Sequence, residues 1–339
     1  MHLYVQKVST ILVKRMTTPN SGKTLLLLKP RGFCAGVVRA IDVVRIALET
    51  FGPPIYVRKE IVHNRYVVEE LTAKGAIFVD NIDEVPEGER VIYSAHGVSP
   101  EVRDGSQLRR LRVIDATCPL VTKVHVEAVK YAREGYSIIL IGHRDHDEVI
   151  GTLGEAPEVT QVVGSPEQVE ALVVPDPSRV AYLTQTTLSL DETAGIIAAL
   201  KAKYPRIEGP AASDICYATQ NRQTAVKDVA HQTELLLVVG SDNSSNSNRL
   251  VEVARNHGTA AYLIENYRAI DPRWLEDVTN VTLTAGASAP ECLVEEVVAY
   301  LSQAGFDNVK EIEVMPENVR FGLPPEIVEA IAPAAASAE

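Results

Sequence analysis

The sequence lacks the marks of several large classes of protein. Its 339 residues contain four cysteines, too few for a secreted disulfide scaffold, and none forms a Cys-x-x-Cys pair. No apolar stretch reaches the roughly 18–20 residues that a membrane-spanning helix needs. With 33 basic against 45 acidic residues, the net charge of −12 argues against general binding to nucleic acid or an anionic membrane. We therefore expect a globular protein of the reducing cytoplasm, with neither a nucleic-acid nor a membrane partner.

The N-terminal 24 residues lack acidic side chains. They carry four cations, which are Lys7, Lys14, Arg15 and Lys23. Such a pattern is compatible with a transit peptide or with a translation start at Met16, and we favour the second. We expect residues 1–24 to be a disordered or mis-started N-terminal extension. The remaining length suggests two or three domains at roughly 100–200 residues each.

One arrangement of residues occurs three times along the chain: a cysteine between a short apolar run and a segment with apolar residues at helical spacing. The three cysteines are Cys34, Cys118 and Cys216. A first polar loop follows each of them after 28 or 29 residues, and a second after 62 to 72 residues. Alternating strands and helices predict parallel-sheet α/β units, whose ligands gather at the carboxyl ends of the strands. We therefore predict three α/β units that direct three thiols and six polar loops at one cavity.

The predicted boundaries of the units follow this repeat. Unit 1 covers residues 36–118, unit 2 covers residues 119–212, and unit 3 combines residues 213–303 with residues 25–35. Residues 304–339 form a C-terminal segment and a tail that we expect to be disordered. No low-complexity linker separates the units, so we expect them to pack tightly.

The repeated cysteines suggest a metal centre. A thiol at a helix start lies beside free N–H groups and the positive end of the helix dipole, which favour the thiolate. Three such ligands without a fourth fit an iron–sulfur cluster that leaves one iron open to a substrate. Three alternatives remain: buried structural cysteines, a zinc site completed by a histidine, and a cluster-bearing sensor that carries out no reaction. Cys292 lies outside the repeat, in a helix-like segment, and is predicted to be part of the core.

Histidines occupy several loops at predicted strand ends. His63, His96 and His146 are placed where an imidazole could donate a hydrogen bond to a phosphate oxygen. His125, on the helix that follows Cys118, is predicted to be a packing residue. Glu148 lies two residues after His146. Beside an anionic cluster and substrate it should have a raised pKa, which suits proton delivery near neutral pH.

Hydroxyl and amide side chains fill the other loops. Residues 240–249 contain seven Ser or Asn side chains around a predicted helix start, and a helix cap needs only one. Such a stretch can form a cradle for an anion. Thr186 and Ser288 add hydroxyl groups from the equivalent loops.

Eight short motifs cover the chain between residues 25 and 322; they lie at 30–36, 62–68, 94–99, 116–121, 184–189, 215–219, 243–249 and 284–290. Examples are Ala-Thr-Cys-Pro-Leu-Val at 116–121 and Thr-Gln-Thr-Thr-Leu-Ser at 184–189. Together they resemble the motifs of the 4-hydroxy-3-methylbut-2-enyl diphosphate reductase family, also called IspH or LytB. The resemblance implies a trefoil of three quasi-equivalent α/β units with mainly parallel sheets around a central cluster cavity.

The resemblance also implies an oxidoreductase that catalyses the last step of the non-mevalonate (MEP) pathway of isoprene biosynthesis. The allylic alcohol diphosphate would undergo two-electron reductive dehydroxylation to isopentenyl and dimethylallyl diphosphates. One 4Fe-4S cluster per chain would be held by Cys34, Cys118 and Cys216, with an open fourth iron, and Glu148 would supply protons. Reduced ferredoxin or flavodoxin would donate the electrons, since the chain shows no Gly-x-Gly-x-x-Gly fingerprint of its own. The side chains around the substrate would be those of His63, His96, His146, Thr186, Ser244, Ser245, Asn246 and Ser288.

One position departs from the family pattern. The family usually shows His-Pro-Glu-Val-x-Gly, whereas residues 146–151 here read His-Asp-Glu-Val-Ile-Gly. Asp147 replaces a rigid proline with a charge. This change bears on the stiffness of the loop and on the pKa of Glu148.

Overall fold

The computed structural model describes residues 22–332. Residues 1–21 of the predicted extension and residues 333–339 of the predicted tail lie outside this described part. The strands are β1 (Thr24–Lys29), β2 (Ile55–Arg58), β3 (Ala76–Val79), β4 (Arg90–Tyr93), β5 (Arg112–Asp115), β6 (Ser137–Ile141), β7 (Thr160–Val163), β8 (Val180–Thr184), β9 (Leu235–Val239), β10 (Ala260–Ile264), β11 (Asn280–Ala285) and β12 (Asn308–Glu313). The α-helices are α1 (Ala35–Phe51), α2 (Arg65–Ala73), α3 (Pro100–Leu108), α4 (Pro119–Arg133), α5 (Asp147–Glu155), α6 (Pro166–Glu170), α7 (Leu190–Lys203), α8 (Tyr217–Ala230), α9 (Ser245–Asn256), α10 (Glu291–Gln303) and α11 (Pro325–Ile331).

These strands form three separate sheets in which every pair of neighbouring strands is parallel. The strand orders are β3-β2-β4-β5, β7-β6-β8 and β10-β9-β11-β1-β12. The first strand of the chain therefore completes the third sheet, between β11 and β12. The prediction of three α/β units with mainly parallel sheets is confirmed.

Hydrophobic patterning explains why these segments adopt their structures. All five residues of β9, Leu-Leu-Leu-Val-Val, are buried, as expected for a central parallel strand covered on both faces. Along α1, Val37, Ile41, Val44 and Leu48 are buried at helical spacing. Burying one such side chain stabilises the fold by roughly 1.5–3 kcal/mol relative to leaving it in water.

Some elements differ from the sequence-based expectation. The edge strands β3, β7, β10 and β12 were not predicted, and β12 is largely exposed and charged, which discourages pairing with another chain. The described segment before Cys216 forms no strand, contrary to the proposed repeat. It makes a single parallel bridge between Glu208 and Ala181, and Pro210 has no N–H group to continue a ladder.

The carboxyl ends of several strands from all three sheets lie around one region of the molecule. The loops after these ends carry Cys34, Cys118, His63, His96, His146, Thr186, Ser244 and Ser288. All eight residues line the same cavity, although they come from three sheets. Within residues 22–332, no helix combines the length and the apolar character that crossing a membrane requires.

Candidate active site

Three cysteines line the cavity. Cys34, Cys118 and Cys216 each occupy the residue directly before a helix, namely α1, α4 and α8. Gly36 permits a close approach, because a Cβ atom at this position would lie 2.7 Å from Sγ of Cys118 and 3.9 Å from Sγ of Cys34. All three thiols are free and partly buried. The sulfurs therefore converge on one part of the cavity.

The pKa values of Cys118 and Cys216 contradict the expectation from helix starts. Burial, together with the neighbouring Cys34 and Cys216, raises the pKa of Cys118 to about 12, although backbone N–H groups act in the opposite direction. Burial also raises the pKa of Cys216 to about 11. The helix-start argument has the correct sign but is outweighed by burial and by the crowding of three sulfurs. A positive metal centre among the sulfurs would reverse this balance and deprotonate them.

Three imidazole rings stand together beside the cysteines. The rings of His63 and His96 are stacked with their centroids 4.0 Å apart, and His146 meets them edge-on at 5.3 and 5.8 Å. Burial and the other two rings hold the pKa of His96 well below its usual value, and burial lowers the pKa of His146 to about 3. Nδ1 of His146 accepts a hydrogen bond from the N–H of Glu148 at 3.2 Å. The neutral His146 ring therefore carries its proton on Nε2 and can donate it.

Glu148 is a buried acid in the first turn of α5. One carboxylate oxygen accepts a hydrogen bond from the backbone N–H of Thr186 at 2.6 Å, and the other accepts from the Thr186 hydroxyl at 3.0 Å. Burial raises the pKa of Glu148 to about 7, with a further contribution from Asp214, while the Thr186 bonds act in the opposite direction. The pKa is raised as predicted, and burial in the protein is its first cause. Near neutral pH the acid is divided between its two protonation states, as proton transfer requires.

Serine hydroxyls line another part of the cavity. Oγ of Ser244 lies 3.3 Å from Oγ of Ser288, and the Ser288 hydroxyl donates to the carbonyl oxygen of His63 at 2.9 Å. Ser244 precedes α9 and accepts from the hydroxyl of Ser247 at 2.9 Å, while Ser245 donates to the carbonyl oxygen of Thr187 at 3.1 Å.

Asn246 is held at both ends of its carboxamide group. Its Nδ2 donates to Oγ1 of Thr219 at 3.1 Å, and its Oδ1 accepts from the N–H of Ala287 at 2.9 Å. Thr219 in turn contacts Cys216, because its N–H donates to Sγ at 3.4 Å and its hydroxyl oxygen lies 3.2 Å from the same sulfur. Thr219 was missed in the sequence. Its spacing of three residues after a helix-opening cysteine is the spacing of a capping contact, which could have revealed it.

Glu60, Asn243 and Ser94 also support the site and were not identified individually. Oε2 of Glu60 lies 3.3 Å from Nδ1 of His63 and accepts from Nδ2 of Asn243 at 2.7 Å. Oγ of Ser94 lies 3.3 Å from Nδ1 of His96. These contacts orient two of the three imidazole rings. Glu60 precedes His63 by three residues, which is a local spacing, whereas its other partner Asn243 lies 183 residues away.

Two further predictions can be compared with the structure. His125 is buried on α4, as predicted, with Nδ1 2.8 Å from Oε1 of Glu155. The prediction that Cys292 belongs to the core is wrong, because this residue is exposed. The buried face of α10 is formed by its neighbours Leu293, Val294, Val297 and Leu301.

The residues present fit a sulfur-ligated cluster with one open position. Cys34, Cys118 and Cys216 are the cysteines that line the cavity in the described chain, and iron–sulfur clusters are held by cysteine thiolates. A closed zinc site would need a fourth ligand. Ligand atoms of His63, His96 and Asp147 lie within 4.8 Å of one another. The rings of these two histidines are stacked with an angle of 20° between their planes.

The fold and the cavity together define a three-unit α/β protein whose units share one site of thiol, imidazole, hydroxyl and amide groups. Comparison with known proteins narrows this class. Residues 25–302 match the family model described as LytB protein. The chain therefore belongs to the LytB family.

Similar proteins agree with this membership. A curated relative from Acidothermus cellulolyticus, named 4-hydroxy-3-methylbut-2-enyl diphosphate reductase, is 56% identical over 310 residues, or 91% of each chain. A relative of the same name from Xanthomonas oryzae is 54% identical over 89% of this chain and 98% of its own length. The solved structure of the E-1-hydroxy-2-methyl-but-2-enyl-4-diphosphate reductase from Plasmodium falciparum superposes with a TM-score of 0.89 at 43% identity, covering 91% of this chain and 98% of that one.

Proposed function

We propose that this protein reduces (E)-4-hydroxy-3-methylbut-2-enyl diphosphate to isopentenyl diphosphate and dimethylallyl diphosphate, the last step of the non-mevalonate pathway. Family membership and the shared name of relatives at 54–56% identity support this proposal. The observation that carries it is the single cavity in which three cysteines meet Glu148 and the polar donors. The reaction consumes two electrons and two protons per substrate, because a C–O bond breaks, a C–H bond forms and water leaves.

In this proposal Cys34, Cys118 and Cys216 hold a 4Fe-4S cluster with an open fourth iron. When bound, such a cluster supplies the electrons and a Lewis-acidic position for the leaving hydroxyl group. A reduced ferredoxin or flavodoxin in the cytoplasm reduces the cluster. An external donor is needed because the chain has no dinucleotide-binding fingerprint of its own.

The polar side chains of the cavity hold the diphosphate. Several of the donors are neutral, and each hydrogen bond to a charged oxygen contributes roughly 1.5–3 kcal/mol. Binding by neutral donors leaves the substrate's negative charge only partly offset, which favours the retention of protons in the site. The residues that we assign to the substrate are His63, His96, His146, Thr186, Ser244, Ser245, Asn246 and Ser288.

Glu148 holds the proton that the reaction uses. A pKa of about 7 means that the protonated acid is well populated at neutral pH while its conjugate base is still accessible. Thr186 fixes both oxygens of the carboxyl group, so the acid has a defined orientation. Burial excludes bulk water, which would otherwise compete as a proton source.

The first test is anaerobic purification followed by analysis of iron and acid-labile sulfide. The allylic diphosphate is then added with a one-electron reductant, and the two isoprenoid diphosphates are separated and measured. We expect bound iron, bound sulfide and both products. The Glu148→Gln variant is the matched control, and we expect it to keep the metal content and lose most of the turnover.

Other outcomes would point to different functions. A bound cluster without any turnover in the reconstituted protein would favour a sensor over a reductase. Zinc without sulfide would overturn the central assignment. Near-normal turnover by Glu148→Gln would remove Glu148 from its role as proton donor and leave the reductase assignment intact.

A further inference from the structure

Arg39 links the helix after Cys34 to the loop before Cys118. It lies on α1, five residues after Cys34. Its guanidinium donates to the carbonyl oxygens of Thr117 at 3.0 Å and Asp115 at 3.4 Å, and its Nε donates to the carbonyl oxygen of Gly322 at 2.7 Å. Within residues 22–332, no carboxylate lies within ion-pair distance of Arg39. Its positive charge is therefore shared among carbonyl oxygens alone.

Lys123 makes the corresponding link from Cys118 to the loop before Cys216. It lies on α4, five residues after Cys118. Its Nζ donates to Oδ1 of Asp214 at 2.7 Å and to the carbonyl oxygen of Ala212 at 2.9 Å. The Asp214 side chain is fully buried, and its other oxygen accepts from the N–H of Thr184 at 3.0 Å. This contact anchors the start of α8 to α4.

Arg222 completes the circle from Cys216 to the loop before Cys34. It lies on α8, six residues after Cys216, and its side chain is fully buried. Nη2 donates to the carbonyl oxygen of Gly32 at 2.7 Å, and Nη1 donates to Oε1 of Glu317 at 2.9 Å. Its Nε atom is buried and has no hydrogen-bond partner among the described residues.

These three contacts repeat one design around the cavity. Each of the three helices that follow a cysteine carries one cationic side chain in its second turn. That side chain donates hydrogen bonds to the segment directly before the next cysteine. The accepting residues lie one to four positions ahead of that cysteine. The three links form a closed circle, in which α1 is joined to α4, α4 to α8, and α8 to α1. We name Arg39, Lys123 and Arg222 the cation ring.

We propose that the cation ring holds the three cysteines in their ligating arrangement, and that Arg39, whose charge has no carboxylate partner among the described residues, also offsets part of the negative charge of the bound cluster. The three residues are positioning residues, since they act through the segments that carry the sulfurs. This inference rests on the proposed function, because it assumes that the cysteines bind an iron–sulfur cluster. The proposal gives a role to Arg39, Lys123 and Arg222, which are not among the residues that we assign to substrate binding.

A purely structural role explains the ring less well. A buried guanidinium with an unsatisfied Nε carries a desolvation cost, and apolar residues of similar volume often stabilise a core at least as well as a buried ion pair. Contacts within the helices do not account for these cations either: Lys123 and Arg222 also contact Glu127 and the carbonyl oxygen of Ala218 on their own helices, but all three reach the segment before the next cysteine. Lys123 and Arg222 are paired with the carboxylates of Asp214 and Glu317, so their shared feature is the link to a cysteine-bearing segment. Arg39 has no such partner within residues 22–332, and its uncompensated charge, next to the residue before Cys118, is suited to an anionic metal centre.

For Arg39 and Lys123 the test removes the charge while keeping most of the side-chain stem. Arg39→Met and Lys123→Met are compared with the charge-preserving Arg39→Lys and Lys123→Arg. Arg222→Lys is made in place of a methionine variant that could fail to fold. Each helix provides a matched control cation that reaches no cysteine-bearing loop: Arg45 on α1, Lys130 on α4 and Lys227 on α8, each changed to Met.

Three properties of the anaerobically reconstituted proteins are measured: the far-ultraviolet circular dichroism, the rate of iron loss to a chelator, and the midpoint reduction potential from a titration followed by electron paramagnetic resonance. Loss of one hydrogen bond from a charged group corresponds to about a tenfold change, so we expect iron loss to be about tenfold faster in the Met variants. The charge-preserving variants should restore much of the difference. Removing a positive charge disfavours the reduced cluster, so the potential should become more negative, most of all for Arg39→Met.

The proposal is overturned if Arg39→Met and Lys123→Met match the Arg45→Met and Lys130→Met controls in iron loss and potential. It is also overturned if Arg39→Lys and Lys123→Arg release iron as fast as the methionine variants, because stem packing would then explain the effect. An unchanged potential in Arg39→Met would refute its electrostatic part. A wild-type protein without iron and sulfide would instead overturn the proposed function, on which the ring depends.

Discussion

Replacing Glu148 by glutamine tests the charge state of the buried acid without any cofactor or substrate. Glutamine keeps the size of the side chain, and its carbonyl oxygen can still accept the N–H of Thr186. The variant removes the negative charge that wild type acquires as the pH rises through about 7. The apoprotein can therefore report on Glu148 through its free energy of unfolding.

The expected magnitude follows from the pKa. Burial raises it from an ordinary value of 4.5 to about 7, so the folded protein binds a proton more tightly than the unfolded chain does. The stability that comes from this protonation is fully present below about pH 4.5 and is lost as the pH rises to about 7. At ~1.4 kcal/mol per pH unit, ionisation of Glu148 costs wild type about 3 kcal/mol at alkaline pH. Glu148→Gln escapes this cost.

The assay is urea unfolding of wild-type and variant apoprotein at several pH values from about 5 to about 8. The stability of Glu148→Gln relative to wild type should increase with pH and level off above about pH 7. Glu155→Gln on the same helix is the control, and it should lower the stability by an amount that stays constant over this range, because a carboxyl group with a lowered pKa is ionised throughout it. Burial acts to raise the pKa of Glu155, but hydrogen bonds from His125 and Arg103 outweigh it and lower the pKa. A difference between Glu148→Gln and wild type that does not change with pH would refute the reasoning.

Three other changes give distinct expectations. Cys118→Ser should lose iron, because a serine hydroxyl is a poor ligand for an iron–sulfur cluster, and a full cluster absorption spectrum would contradict ligation. Thr186→Val removes the hydroxyl donor to Glu148 and should raise the pKa of Glu148 further, by up to about one pH unit, measured by isotope-edited infrared titration. An unchanged carboxyl titration would show that this hydroxyl has no influence. Ser288→Ala should raise KM about tenfold with a smaller change in kcat, because it removes one donor to the diphosphate, and an unchanged KM would exclude Ser288 from substrate binding.

Much of the fold could be predicted because the chain repeats its pattern. Cys34 and Cys118 stand where apolar runs give way to helical spacing, Cys216 stands before helical spacing alone, and the structure has each of them directly before a helix. Parallel strands then direct their carboxyl ends, and the loops that follow, to one place. This reasoning also anticipated a raised pKa for Glu148. It could not anticipate the cause, because burial depends on how the three units pack together.

The features that escaped prediction are contacts between units. Glu60 and Asn243 lie 183 residues apart and meet beside His63. Arg222 reaches Gly32 across 190 residues. Neither pair has a local spacing that a single sequence reveals. The prediction for Cys292 was wrong for a local reason. Its apolar neighbours in the sequence suggested burial, but Cys292 lies on the exposed face of α10.

The departure at Asp147 shows how one position can satisfy the same local requirement in two ways. Asp147 is the first residue of α5, where proline is favoured by its fixed φ and by its missing N–H group. An acid is favoured there as well, because it faces the positive end of the helix dipole. Aspartate therefore favours the same helix start through its negative charge, where proline does so through its fixed φ and missing N–H group. The charge that contributes to the raised pKa of Glu148 is that of Asp214, whereas Asp147 has its carboxylate near His63 and His96. The substitution thus places a carboxylate beside the histidine pair, where we propose that the diphosphate binds, and leaves the orientation of Glu148 to Thr186.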